Sequence, residues 1–288
     1  GPRRVTPFLV ANFIADAASG HIAIHTGARG PNFAPVSACA TGANSLGEAF
    51  ETIRRGDADT VITGSSEAVL LPIYHATWCS MRALAGDNEH PEKALKPFDL
   101  NRDGFIAGEG ACGMIMEEYE QAKSRGAKIY CEVVGYASSN DAYDMIALHE
   151  TGRGLKRAVN TAIRKAGIAP SEINYINPHG SGTPLNDRVE TLVFKEIMGK
   201  AAYDAAISSV KPITGHCMGA SGSVEALACV MAIRDQRVAP TINYTTPDPE
   251  CDLDYVPNVA RSMAVNIAMT TSVGLGGHNS AVIFKKVQ

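Results

Sequence analysis

Short apolar runs alternate with helix-length segments along almost the whole chain, and Gly or Pro separates most of them. That rhythm restricts the fold to an α/β class and favours mostly parallel sheets. Residues 8 to 25 read as a helix leading to the Gly27–Pro31 turn. A short buried strand then breaks at Cys39 into a helix that runs to about Arg55. Strands are expected at 60–64, 111–116 and 129–137. Helices are expected at 74–84 and 118–125, with a polar loop at 85–104. After Asn140 the alternation restarts. Apolar spacing at Leu155, Ala158, Val159, Ala162 and Ile163 predicts an amphipathic helix over 154–166. Strands follow at 173–177, 206–209, 264–272 and 281–286, with helices at 187–198 and 220–234. The unit after Cys39 and the unit after Pro178 read as crude echoes of each other.

The chain has 288 residues, 45% hydrophobic and 19% charged. That suits a large core, built as one big domain or two intimate halves. Net charge is −4, and no Lys/Arg run or basic–aromatic interleaving points to nucleic acid. The seven cysteines are odd in number, scattered and without a Cys-x-x-Cys pair. A disulfide framework or structural zinc site is therefore disfavoured, and a reducing cytoplasm is expected. No signal peptide opens the sequence, and no apolar run approaches membrane-spanning length. Gly1-Pro-Arg-Arg-Val5 has no initiator methionine and leads straight into apolar sequence, which reads as a fragment or processed product.

Three loops carry chemistry. Cys39 sits among Ala38, Ala40, Thr41, Gly42 and Ala43, small residues that let a substrate approach the sulfur. A helix starting near Thr41 would turn its free N–H groups and positive end toward the thiol, which predicts a thiolate nucleophile. His179 lies in Asn177-Pro-His-Gly-Ser-Gly-Thr-Pro184, and His216 in Lys211-Pro-Ile-Thr-Gly-His216. Each loop follows an expected strand, and such carboxyl-end loops converge on one crevice in α/β sheets.

These motifs resemble the β-ketoacyl-acyl carrier protein synthases, condensing enzymes of the thiolase superfamily, and most closely the bacterial type II elongating synthase. The matches are Ser37-Ala-Cys-Ala-Thr-Gly42, Pro97-Phe-Asp-x-x-Arg-Asp-Gly-Phe105, Gly108-Glu-Gly110, His179-Gly-x-x-Thr-Pro184 and Lys211-x-x-x-Gly-His216. They continue with Gly219-Ala-x-Gly-x-x-Glu225, Asp252-Leu-Asp-Tyr-Val-Pro257 and Gly274-x-Gly-Gly277. They run through the chain in family order. The resemblance implies a five-layered αβαβα fold of two related halves, residues 1–138 and 139–288, with the opening of the first half absent. It implies acyl transfer to Cys39, then decarboxylative condensation with a malonyl-acyl carrier protein in fatty acid elongation. His179 and His216 would serve the enolate oxygen, and the backbone N–H groups of Cys39 and Leu275 the oxyanion. Lys211 would pair with Glu225 and order the histidine. Ser181 and Thr183 would meet the phosphopantetheine arm of the carrier protein, with no separate cofactor required. Asn177, Glu190 and Glu225 match a structural cation site in some relatives. A cytoplasmic homodimer is implied, with residues 1 to 35 contributing to its interface.

The sequence also departs from the family. Val273-Gly-Leu275-Gly-Gly stands where Phe-Gly-Phe-Gly-Gly is usual, so both aromatic gates are smaller. Asp144 replaces a common histidine and Ile146 a common threonine. Three rivals compete. A ketosynthase of aromatic or aryl-polyene polyketide assembly shares the histidine loop. A non-catalytic truncated module would only bind. Ser208-x-x-Lys211 matches a penicillin-binding nucleophile motif but lacks its partner elements.

Overall fold

The computed structural model describes residues 1–287. In chain order the first elements are α1 (Leu9–Phe13), α2 (Ala17–Thr26), α3 (Thr41–Arg54), β1 (Thr60–Glu67), α4 (Pro72–Ser80), α5 (Pro91–Ala94), β2 (Gly110–Glu117) and α6 (Tyr119–Ser124). Then come β3 (Glu132–Asn140), α7 (Arg153–Ala166), β4 (Tyr175–Asn177), α8 (Pro184–Met198), β5 (Ala206–Ile207), α9 (Lys211–Thr214) and α10 (Ser221–Asp235). The chain ends with β6 (Arg237–Val238), β7 (Arg261–Ser262), β8 (Ile267–Gly274) and β9 (His278–Lys285).

The main sheet has five strands in the order β3-β9-β8-β4-β5. Its β3-β9 and β9-β8 pairs are antiparallel, while β8-β4 and β4-β5 are parallel. β1 and β2 form a separate antiparallel pair. The sheets are therefore mixed rather than mostly parallel. The cause is the β8–β9 hairpin: Gly276 and Gly277 take positive φ and turn the chain straight back on itself. Apolar runs reveal strands but not their direction.

α7 behaves as its spacing predicts. Leu155, Ala158, Val159, Ala162 and Ile163 are buried against the sheet, and Gly167 in the left-handed region ends the helix. α7 and α8 cover one face of the main sheet. α3 and α10 cover the other and are capped by the β1–β2 pair. Sheet, central helices, sheet and outer helices thus stack in turn, four of the five layers that the resemblance implies, and no helix layer covers the far face of β1–β2 among the described residues. The far face of β1–β2 is open, with Ile115 at 70% exposure. Among the described residues, no helix is long and apolar enough to cross a membrane.

α3 and α10 touch backbone to backbone. A Cβ on Gly42 would lie 2.4 Å from the Ser223 nitrogen, and one on Gly222 would lie 2.4 Å from the Ala43 nitrogen. Both helices also begin alike. Ala38 (φ 49°) opens a 3-10 turn, Ala38–Ala40, that runs into α3. Met218 (φ 44°) opens a 3-10 turn, Met218–Ala220, that runs into α10. The echo of the Cys39 unit is therefore this segment, not the one after Pro178, and Gly219 stands in the position of Cys39.

Two stretches near the start differ from expectation. The helix read over residues 8 to 25 splits at Ile14, whose backbone is extended, and neither α1 nor α2 buries a residue. The strand expected before Cys39 does not form. Residues 31–37 run without a strand partner among the described residues, and Val36 is 72% exposed. An isolated extended segment has no ladder to hold it.

Candidate active site

Cys39 is the middle residue of the 3-10 turn ahead of α3 and is 9% exposed. The hairpin turn of β8–β9 presses against it. A Cβ on Gly274 would lie 2.9 Å from the Ser37 carbonyl and 3.1 Å from the Cys39 nitrogen. Only glycine permits that approach, which aims the Leu275 N–H and the Cys39 N–H at the sulfur. Two backbone N–H groups so placed can serve a developing oxyanion. The turn is also tied outward: Gly276 N–H donates to the Met145 carbonyl at 2.8 Å, and Asn140 Nδ2 donates to the Gly276 carbonyl at 2.7 Å.

The thiol is not the thiolate that its place before a helix suggested. Burial pushes its pKa up to about 11, Lys211 draws it back only in part, and Glu225 pushes it further. Desolvation outweighs the backbone donors here. Alkylation of Cys39 by iodoacetamide should therefore accelerate about tenfold per pH unit between about pH 7 and 10. A rate already at its plateau near neutrality would count against a protonated resting thiol.

His179 is fixed through its backbone rather than its ring. The His179 and Gly180 N–H groups donate to Glu190 Oε1 and Oε2, each at 2.7 Å. The His179 carbonyl accepts from Lys211 Nζ, and the Gly180 carbonyl accepts from Ser209 Oγ at 2.7 Å. Neither ring nitrogen has a protein hydrogen-bond partner among the described residues, and Nδ1 is fully buried. A buried, unpartnered imidazole is uncommon in a structural role.

His216 is zipped in place. Its N–H donates to the Ile106 carbonyl at 2.7 Å, and its carbonyl accepts from Gly108 N–H at 3.0 Å. Nδ1 lies 2.9 Å from Ser221 Oγ. With the Ser221 hydroxyl donating to Nδ1, Nε2 carries the ring proton and is a donor. Phe105 packs edge-on at 5.3 Å, and the two imidazoles meet at 5.1 Å and 79°. Burial holds both histidines well below their ordinary pKa, and Lys211 adds to the effect. Both are neutral near pH 7, so each keeps one N–H and one lone pair.

Lys211 joins the cluster. It is 1% exposed, and its Nζ donates to Glu225 Oε1 as well as to the His179 carbonyl. Its charge acts on Cys39, His179 and His216 alike. The residues picked out on three distant loops thus share one buried cation as neighbour.

The remaining candidates sort differently. Ser181 Oγ and Thr183 Oγ1 lie 2.9 Å apart, and Thr183 precedes α8 without a side-chain cap bond. The Thr183 hydroxyl therefore caps no helix. Glu190 is occupied by its backbone donors and by Asn186 and Thr271, and burial raises its pKa to about 7. Among the described residues Asn177 Oδ1 and Glu225 Oε2 have no hydrogen-bond partner. Among the described residues no three His, Cys, Asp or Glu side chains gather as metal ligands. Ser208 is buried, with Oγ 2.9 Å from Tyr175 Oη, so the penicillin-binding pattern is spent on a structural contact. Ser209 and Ser221 were not singled out from the sequence, and Phe105 was named only as the end of a matched motif. The first two sit two residues before Lys211 and five after His216, and that proximity was the only signal.

Two family models match the chain, the β-ketoacyl synthase N-terminal domain over residues 1–122 and the C-terminal domain over residues 130–245. The chain belongs to the β-ketoacyl synthase family. A curated β-ketoacyl synthase similar to it is the 3-oxoacyl-(acyl-carrier-protein) synthase 2 of Synechocystis sp. The two are 49% identical over 288 residues, which is 100% of this chain and 69% of that protein. Solved β-ketoacyl synthases share the fold. One is a type II polyketide ketosynthase bound to the hexaketide, in complex with its acyl carrier protein. It has a TM-score of 0.96 at 39% identity, covering 100% of this chain and 71% of that one. Another is the ishigamide ketosynthase/chain length factor, with a TM-score of 0.92 at 33% identity, covering 100% and 69%.

Proposed function

We propose that the chain is a β-ketoacyl-acyl carrier protein synthase that loads an acyl group on Cys39 and condenses it with a malonyl-acyl carrier protein. The observation that carries this is the pair of neutral imidazoles 5.1 Å apart beside a buried Lys211, whose charge also acts on the buried Cys39 thiol. In the first step the Cys39 sulfur attacks the acyl thioester. Its proton passes by way of a neutral imidazole to the departing pantetheine thiolate. The carbonyl oxygen gains negative charge beside the N–H groups of Cys39 and Leu275.

In the second step the malonyl thioester loses CO2, and its C–C bond pair becomes an enolate. The enolate oxygen accepts N–H bonds from His179 and His216. Its carbon attacks the acyl carbonyl, the Cys39 C–S bond breaks with the pair leaving on sulfur, and the thiolate takes up one proton from solvent. Imidazoles held neutral suit this role as donors that keep no net charge. Ser181 and Thr183 are the proposed contacts for the pantetheine arm.

The proposed setting is cytoplasmic, in keeping with seven free thiols. A second ketosynthase-fold chain, an identical copy, is the proposed partner for the open apolar surface of residues 8–36 and β1–β2. Phe13, Ile24 and Ile115 on that surface support the reading. A polyketide ketosynthase would run the same chemistry on a longer acyl group, and Leu275 in place of an aromatic gate bears on that choice. A non-catalytic module fits poorly with a thiol aimed at two backbone donors.

The test is mass spectrometry of the protein after incubation with acyl- and malonyl-carrier proteins. An acyl adduct on Cys39 that disappears as β-ketoacyl product forms is expected. An adduct that persists with malonyl-carrier protein present would leave acyl transfer and defeat condensation.

A further inference from the structure

The two imidazoles belong to residues 37 positions apart in the chain, and their spacing needs a common fixture. Backbone anchors to Glu190 and to residues 106–108 hold each loop separately. Ser209 is bonded to both. It is completely buried at the end of β5. Its Oγ donates to the Gly180 carbonyl at 2.7 Å and accepts the Lys211 N–H at 3.3 Å. Its own N–H donates to Thr241 Oγ1 at 3.0 Å. One face of this hydroxyl therefore holds the peptide after His179. The other holds the first residue of α9, the turn that delivers His216.

The packing is as close as the bonding. Gly180 has φ 41°, and a Cβ there would lie 2.7 Å from the Ser209 Cβ and 3.2 Å from Phe98. The His179 loop thus rests directly on Ser209, with no intervening side chain. Lys211 supplies a second link through the His179 carbonyl, but its ammonium sits on a flexible stem. Ser209 has a single short side-chain torsion, so its oxygen fixes distance more tightly.

We infer that Ser209 is a positioning residue that sets the separation of the His179 and His216 rings for joint donation to the enolate oxygen. The inference rests on the condensing activity proposed above. Acyl transfer to Cys39 uses the backbone donors and needs one imidazole as a relay. Condensation needs both rings at one oxygen. Ser209 therefore matters most to the second step, which alone needs the two rings at a set separation.

The experiment compares wild type with Ser209→Ala and Ser209→Cys. Pre-steady-state acylation of Cys39, steady-state condensation, the unfolding midpoint and the imidazole 15N resonances of His179 and His216 are measured. For Ser209→Ala, condensation kcat is expected to fall about tenfold, the scale of one lost hydrogen bond to a positioned group. KM for the malonyl substrate and the acylation rate are expected to stay within about twofold, and both resonances are expected to move. Ser209→Cys keeps the shape with a weaker donor, so a smaller loss in the same direction is expected. Equal loss of both half-reactions in step with a lowered unfolding midpoint would overturn the inference, as would unmoved resonances. A wild-type chain that does not condense, while Ser209→Ala still moves both resonances, would defeat the activity and leave the positioning role standing.

Discussion

Replacing Lys211 by Met is expected to destabilise the protein by about 3–5 kcal/mol and to cut condensation by at least about a hundredfold. The stability figure is the usual cost of stranding one partner of a buried ion pair. Glu225 is as buried as Lys211, and among the described residues its Oε2 already lacks a hydrogen-bond partner. Burial raises its pKa and Lys211 lowers it, so without the lysine the carboxylate must take up a proton or stay unpaired. The His179 carbonyl loses its ammonium donor in the same stroke. Denaturant titration gives the first number and product formation the second. Lys211→Met with Glu225→Gln is expected to recover much of the stability but little of the activity, because the charge conflict is gone while the His179 anchor is not restored. A single variant as stable as wild type would show that the pair does not hold the site together.

Replacing His179 by Ala is expected to reduce condensation by about 10²–10³, the range for losing one donor to a developing oxyanion. Here stability should hardly change. Among the described residues the ring has no hydrogen-bond partner at either nitrogen, and the loop is gripped through peptide groups that alanine keeps. Acyl-Cys39 should still form and accumulate, visible as a persistent mass shift. The wild-type rate of condensation should be nearly flat from about pH 6.5 to 8, since both imidazoles stay neutral there. The sign of the stability term follows. A histidine whose folded pKa lies below its unfolded value contributes fully above about 6.5 and progressively less as pH falls below it. An activity that rose as pH dropped through 6.5 would contradict neutral donors.

The sequence made some of this legible and hid the rest for identifiable reasons. The stripe from Leu155 to Ile163 predicted α7 because helical spacing is a local property. Cys39, His179, His216 and Lys211 stood out because each lies in a Gly- or Pro-bounded loop after an apolar run. The direction of β9 was hidden, since an apolar strand reads the same in either sense until a turn such as Gly276–Gly277 is built. The run from Val36 into Cys39 was read as a buried strand because its composition allows one, but a strand exists only beside another. The protonation of Cys39 was misread because the helix end is visible in sequence whereas the depth of burial is not. Ser209 and the Gly42–Gly222 contact depend on residues 29 and 180 positions apart, and nothing local announces them.

The matching turns at Cys39 and Gly219 differ in what faces them. Glu67 Oε2 accepts the Gly219 N–H at 3.3 Å, and a Cβ at that position would lie 2.8 Å from the same oxygen. A thiol grafted there would be crowded by a carboxylate that repels its ionised form. Although the chain carries two similar elbows, only one can be armed, and a single reactive centre per polypeptide is written into the pair.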